Sequence, residues 1–134
     1  MLPLVATCVL AAAPTPVLFA PLDLNGVPAD FGPRIERGLR GAFAGSSWPL
    51  QSPAEREAEL ARARDAGVQL QGARVLLSCN ALGSGDHATL QCRLTQLADH
   101  RLLGTERVRC GKDLDQCADE LGRRALALVR GAAP

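Results

Sequence analysis

The sequence of 134 residues has no excess of charge, because 15 lysines and arginines stand against 14 aspartates and glutamates. A formal net charge of +1 provides no bulk attraction to nucleic acid, so nucleic acid is not an expected partner. The sequence also lacks the His-Glu-x-x-His motif, the Walker loop and the Gly-x-Ser-x-Gly elbow, which mark common metal, nucleotide and hydrolase sites. We therefore expect no catalytic residues, no cofactor and no metal ion.

The apolar N-terminal run, residues 1–13, is too short to cross a bilayer as a helix, which needs about 20 residues. It resembles the hydrophobic region of a signal peptide that ends in small residues, although the usual preceding basic residues are missing. We expect cleavage after the alanines. Lipidation at Cys8 is the second outcome considered, although Thr7 stands where a smaller residue is usual. The predicted location is periplasmic or secreted, with membrane contact only through this segment if it is retained.

The rest of the composition predicts a packed domain, because 47% hydrophobic residues with little net charge are not typical of disordered chains. The length predicts a single domain. We divide the chain into an apolar signal-like or anchor segment at residues 1–16, one α/β domain at residues 17–130, and a frayed tail at residues 131–134.

Four cysteines remain when Cys8 is set aside, and an even number in a small exported domain predicts two disulfides. They are Cys79, Cys92, Cys110 and Cys117. A zinc site is the alternative, but intervals of 12, 17 and 6 intervening residues contain no Cys-x-x-Cys pair. Four reduced thiols that act as small hydrophobic residues are a further alternative.

A three-stranded antiparallel meander is predicted over residues 74–110. Apolar and polar residues alternate strictly over residues 87–95, which indicates a half-buried strand. With a turn at residues 83–86, Cys79 lies opposite residues 90–92, so a bridge to Cys92 fits the short separation that a disulfide requires. Cys110 and Cys117 bracket the connection into a last helix. We therefore prefer the pairs Cys79–Cys92 and Cys110–Cys117.

Helices and two further strands complete the predicted fold, and the second of these strands is a short extended piece at residues 48–50. An apolar run at residues 17–24 indicates a buried strand. Residues 30–44 carry a helical apolar stripe, and residues 52–66 begin with a capping box and proline. The second helix has a thin predicted stripe of Ala54, Ala58, Ala61 and Ala66 with Leu60. The last helix begins after Asp113, a predicted N-cap. A right-handed crossover makes the strands at 17–24 and 74–82 parallel. The predicted class is α/β (α+β), a mixed sheet with about three helices packed on it.

Two histidines are the only candidates for acid–base chemistry, and both lie at predicted turns. We interpret His87 and His100 as solvated residues without a functional role. Six arginines of the first two helices alternate with glutamates, so they indicate a mixed solvated surface rather than a nucleic-acid site. These arginines are Arg34, Arg37, Arg40, Arg56, Arg62 and Arg64.

Several stretches match one group of bacterial envelope proteins in residue type. The strand Val-Leu-Phe-Ala-Pro-Leu-Asp precedes an arginine- and leucine-rich helix, and later the chain reads Ala-Arg-Val-Leu-Leu-Ser-Cys-Asn-Ala-Leu and Ala-Thr-Leu-Gln-Cys-Arg-Leu-Thr-Gln-Leu. Over roughly residues 17–130 this pattern resembles the small α/β domain of the TolB N-terminal region and of the CsgG, LpoB and FlgO envelope proteins. The four core cysteines and the connector at residues 68–72 depart from the pattern. The resemblance implies a non-enzymatic domain that binds other proteins, without translocation or pore formation.

These observations predict a non-catalytic exported bacterial envelope domain, periplasmic or lipoprotein-like, that is stabilised by disulfides and interacts with other envelope proteins. The alternative is a small-ligand-binding protein or enzyme with a site at the sheet edge, which requires His87, His100 or a free cysteine in a pocket. A cytosolic regulator with reduced thiols is a third hypothesis, and it requires residues 1–13 to stay attached.

Overall fold

The computed structural model describes residues 14–84 and 87–132. The predicted signal-like run and Cys8 therefore lie outside the described residues. The elements in chain order are β1 (Val17–Phe19), β2 (Asp23–Asn25), α1 (Phe31–Phe43), β3 (Leu50–Gln51), α2 (Pro53–Asp65), β4 (Val75–Ser84), β5 (His87–Gln96), β6 (Leu102–Cys110) and α3 (Leu114–Ala132). No helix within the described ranges combines the length and the apolar character that crossing a bilayer requires.

The strands form one mixed sheet in the order β3-β1-β4-β5-β6, and β2 also pairs with β4. The pairs β1–β3, β1–β4 and β2–β4 are parallel, whereas β4–β5 and β5–β6 are antiparallel. The predicted class is confirmed: a mixed sheet with a C-terminal three-stranded antiparallel meander and three helices packed on it.

The predicted strand at residues 17–24 is interrupted. β1 ends at Phe19, β2 begins at Asp23, and both pair with β4 in succession. Pro21 lies between them and has no N–H to donate to a ladder. The last bond of the first piece runs from the Ala20 N–H to the Leu77 carbonyl at 3.1 Å. The chain therefore continues along β4 after a short break.

Helices α1 and α3 cover one face of the sheet and pack tightly against each other. An ideal Cβ on Gly38 would lie 2.7 Å from the Ala118 Cβ, and one on Gly122 would lie 2.7 Å from the Ala42 Cβ. Such distances are far inside van der Waals contact, so the two glycines allow the close approach of the helices. Their apolar stripes, including Ile35, Leu39, Phe43, Leu121 and Val129, are buried against the sheet.

Helix α2 lies on the opposite face, over β1 and β3, as right-handed crossovers in opposite directions require. Its predicted alanine stripe is wrong: Ala54, Ala58, Ala61 and Ala66 are exposed, and Leu60 is half-buried. The buried residue is Arg56, which donates to the Gln71 carbonyl and, at 3.5 Å, to Gln51 Oε1. Alanine buries little apolar area, whereas the arginine stem covers the sheet while its head finds acceptors.

The capping box of α2 forms as predicted. The Glu55 N–H donates to Ser52 Oγ at 3.2 Å, and the Ser52 N–H donates to Glu55 Oε1 at 3.4 Å. Because α2 has little buried surface to stabilise it, Ser52→Ala is expected to cost about 1 kcal/mol of unfolding free energy. Urea denaturation measures the loss, and faster hydrogen exchange should be confined to α2. Ser52→Thr, which keeps an acceptor oxygen, is the control, and equal stability of the two variants would contradict the expectation.

Helix α3 begins as predicted, because Asp113 Oδ1 accepts the Gln116 N–H at 3.0 Å. The helix then continues through Gly131 to Ala132, two residues into the predicted frayed tail. Its first turn is joined to the sheet by the bond between Cys110 and Cys117, whose Cα atoms lie 5.6 Å apart.

Candidate interaction surface

Helix α2 packs mainly on β1 and β3, and on the same face of the sheet Leu82 of β4, Arg93 of β5 and Arg107 of β6 are exposed. Alternation along the strands determines which side chains lie there, because successive residues point to opposite faces. We call this surface the open face. It consists of Ser78, Asn80, Leu82, Thr89, Gln91, Arg93, Thr95, Thr105, Arg107 and Arg109.

Three exposed arginines cluster on the half of the open face formed by β5 and β6. Arg93 is aligned with Thr105, and Arg107 is aligned with Gln91. Residues two apart on a strand are separated by about 7 Å, and diagonal neighbours on adjacent strands by about 7–8 Å. The Cα atoms of Arg93 and Arg107, and those of Arg107 and Arg109, are therefore about 7–8 Å apart. Arg107 Nη2 also donates to Gln91 Oε1 at 3.4 Å.

No carboxylate neutralises this cluster within the part of the chain that the structure describes. Glu106 is the only acidic residue of β5 and β6, and alternation places it on the helix-covered side. Asp23 shares the open side but lies beyond β4, aligned with Asn80. The β5–β6 half of the open face is therefore positive, although the whole chain is almost neutral.

The two edges of the sheet differ in how their backbone groups are covered. β3 has only two residues, and Arg40 Nη1 donates to its Leu50 carbonyl at 3.3 Å. Arg40 is held there by Glu55, 2.5 Å away, and this contact lowers the pKa of Glu55. β6 has nine residues and forms the other edge. It is therefore the longer and less covered edge of the sheet.

Hydrogen bonding shows which residues of β6 present their backbone at the edge. The Arg107 carbonyl accepts a bond from Arg124 Nη1 in α3 at 3.5 Å, so this carbonyl faces away from β5. In an antiparallel strand the N–H and C=O of one residue point the same way, and alternate residues share that direction. Thr105, Arg107 and Arg109 therefore present both backbone groups at the edge, while their side chains lie on the open face.

The disulfide in the meander supports this direction independently. Cys79 and Cys92 are directly aligned, with Cα atoms 4.0 Å apart, which is the close spacing of a non-hydrogen-bonded pair. The backbone groups of Cys92 then point toward β6 and its partner Glu106. The alternate residues of β6 accordingly point outward, in agreement with the bond at Arg107.

Arg124 is held near the edge by an acidic neighbour in the same helix. Its Nε donates to Glu120 Oε1 at 3.1 Å, and Arg123 Nη2 lies 2.5 Å from Glu120 Oε2. These two bonds lower the pKa of the Glu120 carboxyl, with the contact to Arg123 as the larger cause. Arg124 is an exposed side chain, so solvent surrounds the pair.

The predicted cysteines are brought together in two bonds on the core side of the sheet. The structure joins Cys79 to Cys92 and Cys110 to Cys117, the same pairs that are predicted from the sequence. All four residues are buried. The first bond links two central strands, and the second links the end of β6 to α3. A zinc site would need these sulfurs as free thiolates.

The predicted histidines are both exposed and lie at opposite ends of β5. His100 follows β5 in a turn with a positive φ of 59°. His87 begins β5 and lines a concavity of about 200 Å³ together with Arg34 and Lys112. This volume lies below the roughly 300–1,000 Å³ of ordinary ligand pockets.

The concavity offers little that would perform acid–base or nucleophilic chemistry. Arg34 is already paired with Asp115 at 3.0 Å, a contact that lowers the pKa of the Asp115 carboxyl. The described lining residues include no serine, threonine, free thiol or carboxylate. The alternative of a small-ligand or catalytic site therefore has only His87 and Lys112 as candidate groups at this place.

The arginines of the strands were not among the candidate residues predicted from the sequence, which were those of the first two helices. The signal was present, since Arg107 and Arg109 occupy alternate positions on a predicted strand next to Arg93 on another. These arginines form an accessible cluster only because β6 is an edge strand and none of the described helices covers the open face. Both are properties of the assembled sheet.

Comparison with known proteins gives the fold but no family. No protein-family model matches the chain, and no curated protein matches it in sequence. A dodecamer of a PelC variant from Paraburkholderia phytofirmans matches with a TM-score of 0.59 at 16% identity, over 88% of this chain and 90% of that chain.

Two further solved structures belong to the group named from the sequence pattern. TolB from Acinetobacter baumannii matches with a TM-score of 0.55 at 13% identity, over 90% of this chain but 30% of that chain. The LpoB C-terminal domain from Escherichia coli matches with a TM-score of 0.54 at 15% identity, over 75% of this chain and 84% of that chain. The predicted resemblance to TolB and LpoB is confirmed at the level of the fold.

Proposed function

We propose that this protein is an exported, non-catalytic domain of the bacterial envelope that binds other proteins through the open face and the edge of β6. The observation that carries the proposal is the pair of disulfides, which uses every cysteine of the described residues. Disulfides persist in oxidising compartments such as the periplasm and are rare in the cytosol. The likeness of the fold to TolB and LpoB supports the same compartment.

The binding part of the proposal is supported by the uncovered half of the sheet. The open face is polar and rigid, because it stands on strands that are joined by a disulfide and backed by two packed helices. The concavity beside His87 is small, and its cationic Arg34 is already engaged. A protein partner on the open face therefore fits the described side chains better than a substrate in that concavity.

Export can be tested with a reporter enzyme that is active only outside the cytoplasm. A fusion of residues 1–30 to this reporter is expected to be active in intact bacteria, and a matched fusion of residues 14–30 is expected to be inactive. A Cys8→Ala version separates a lipid anchor from simple cleavage, since only an anchored product moves from the membrane to the soluble fraction when the cysteine is lost. An inactive 1–30 fusion would contradict export.

The disulfides can be tested in the same preparation by mass spectrometry of non-reduced peptides. We expect one linked pair that contains Cys79 and Cys92 and a second that contains Cys110 and Cys117. Finding four free thiols in protein taken from the envelope would remove the observation on which the proposal rests.

A further inference from the structure

We propose that the edge of β6 accepts an extended segment of a partner protein as an added strand, and that this segment alternates acidic and apolar residues. The inference rests on the proposed function and specifies the partner's chemistry. It combines three observations: free backbone groups along β6, arginines on one side of that edge, and the half-buried apolar side chain of Val108 on the other.

The backbone provides the first part of the site. Thr105, Arg107 and Arg109 direct their N–H and C=O groups away from β5, and the described residues place no strand beyond β6. Such a row is a template for strand addition, which is an established way of binding extended peptides. The 3.5 Å bond from Arg124 is long and exposed, so an incoming N–H can replace it at the Arg107 carbonyl.

The arginines select the charge of the added strand. Residues of the added strand that pair with Arg107 and Arg109 lie directly opposite them, on the open face, with Cβ atoms about 4.5–5.5 Å away. These two residues of the partner are themselves two positions apart, so their separation matches the roughly 7 Å between the arginines. Carboxylates at both positions complete two cross-strand ion pairs, and Arg93 on the next strand adds positive charge to the same face.

The other side of the added strand meets a different surface. Alternation places the residue between these two beside Val108, which is half-buried on the helix-covered side of the sheet. An apolar residue there would extend the core, whereas a charged one would lose solvation. The partner segment therefore has the form acidic, apolar, acidic.

Pairing with the β6 edge of a second copy is unfavourable for every two-fold register centred from Thr105 to Arg109. When two copies of β6 pair in antiparallel fashion around a two-fold axis, the residue on the axis lies opposite its own copy. Residues at equal distances before and after it along the strand then lie opposite each other. Centring on Arg107 or Arg109 sets like arginines opposite each other, and centring on Val108 sets Arg107 opposite Arg109. Centring on Glu106 pairs two glutamates, and centring on Thr105 sets Arg109 opposite Arg101. Like charges directly opposite are destabilising, so the edge favours a different, acidic partner.

The test uses a fluorescein-labelled peptide, Thr-Glu-Val-Glu-Val-Glu-Thr, and the disulfide-bonded domain at low salt. Fluorescence anisotropy is expected to show saturable binding to the wild type. In the double variant Arg107→Glu, Arg109→Glu the Kd is expected to rise by at least about tenfold. The matched control is Arg62→Glu, Arg64→Glu, which changes the charge equally on the exposed face of α2 and should bind within about twofold of the wild type.

Backbone pairing is tested without changing the protein. Methylating the peptide nitrogens of the glutamates, which face β6 in the proposed pairing, should abolish binding, whereas methylating those of the valines should not. Equal binding of the two methylated peptides would overturn strand addition, as would equal binding of a peptide with the same composition in which the glutamates are adjacent.

Other occupants of the edge give distinct results. Sedimentation of the domain with vesicles of phosphatidylglycerol that is lost in the Arg107→Glu, Arg109→Glu variant, with no peptide binding, would overturn the proposal in favour of an anionic surface. Concentration-dependent dimerisation that the same variant changes would overturn it in favour of self-association. An active 1–30 fusion with no peptide binding would contradict strand addition and leave the proposed envelope function standing.

Discussion

Replacing Cys79 and Cys92 together by alanine is expected to lower the free energy of unfolding by about 3 kcal/mol. The bond closes a loop with a sequence separation of 13, and the loss of that cross-link enlarges the conformational freedom of the unfolded chain. Both sulfurs are also buried beneath the helices, so their removal leaves unfilled space in the core. Urea denaturation of the variant and of the wild type measures the difference.

The second disulfide provides the comparison for this result. The Cys110–Cys117 bond has a sequence separation of 7, so the same relation gives about 2.5 kcal/mol for its double alanine variant. The wild type treated with a reductant that opens both bonds should be at least as unstable as either variant. An unchanged urea midpoint for the Cys79 and Cys92 double variant would contradict the expectation.

Gly38→Ala and Gly41→Ala are expected to change stability in opposite directions, although both lie in α1. A Cβ at Gly38 would meet the Ala118 Cβ at 2.7 Å and the Ala118 carbonyl carbon at 2.9 Å, so α1 and α3 must separate. Overpacking of this kind costs about 1–3 kcal/mol. A Cβ at Gly41 meets nothing within 4 Å, so that variant gains about 1 kcal/mol of helix propensity.

The pair is informative because alanine improves helix propensity equally at both positions. The difference between the two unfolding free energies therefore measures the steric cost at the α1–α3 contact alone, and circular dichroism during thermal unfolding provides it. Equal stabilisation of both variants would mean that the helices yield to a methyl group without cost, contrary to the close packing in the structure.

Local patterns in the sequence were sufficient for most of the fold. The alternation around Leu90 and Cys92 predicts β5, and the Gly-Ser-Gly-Asp sequence before His87 predicts a hairpin in which Cys79 aligns with Cys92, as the strand pairing has it. The capping residues Ser52 and Asp113 mark two helix starts correctly. Each of these features depends on neighbouring residues in the chain, which is why sequence reasoning could find them.

Features that depend on distant parts of the chain were missed or misjudged. The face of α2 was predicted from the positions of its alanines, but the sheet instead buries Arg56, whose acceptors include the carbonyl of Gln71 in a later connector. The break at Pro21 follows from successive pairing with one long strand. The open face and its arginines require knowledge of which strand is at the edge, and no local pattern contains that information.

Both sulfur bridges lie within residues 79–117, so neither bridge joins this segment to the half that contains β1, β2, α1, β3 and α2. The main chain passes from one half to the other through the largely exposed connector at residues 66–74. A single proteolytic cut there would leave two fragments held together by noncovalent contacts, mainly the α1–α3 contact and the pairing of β1 and β2 with β4. The chain is thus a natural candidate for fragment complementation. The affinity with which the two fragments reassemble would measure the strength of the noncovalent contacts between them.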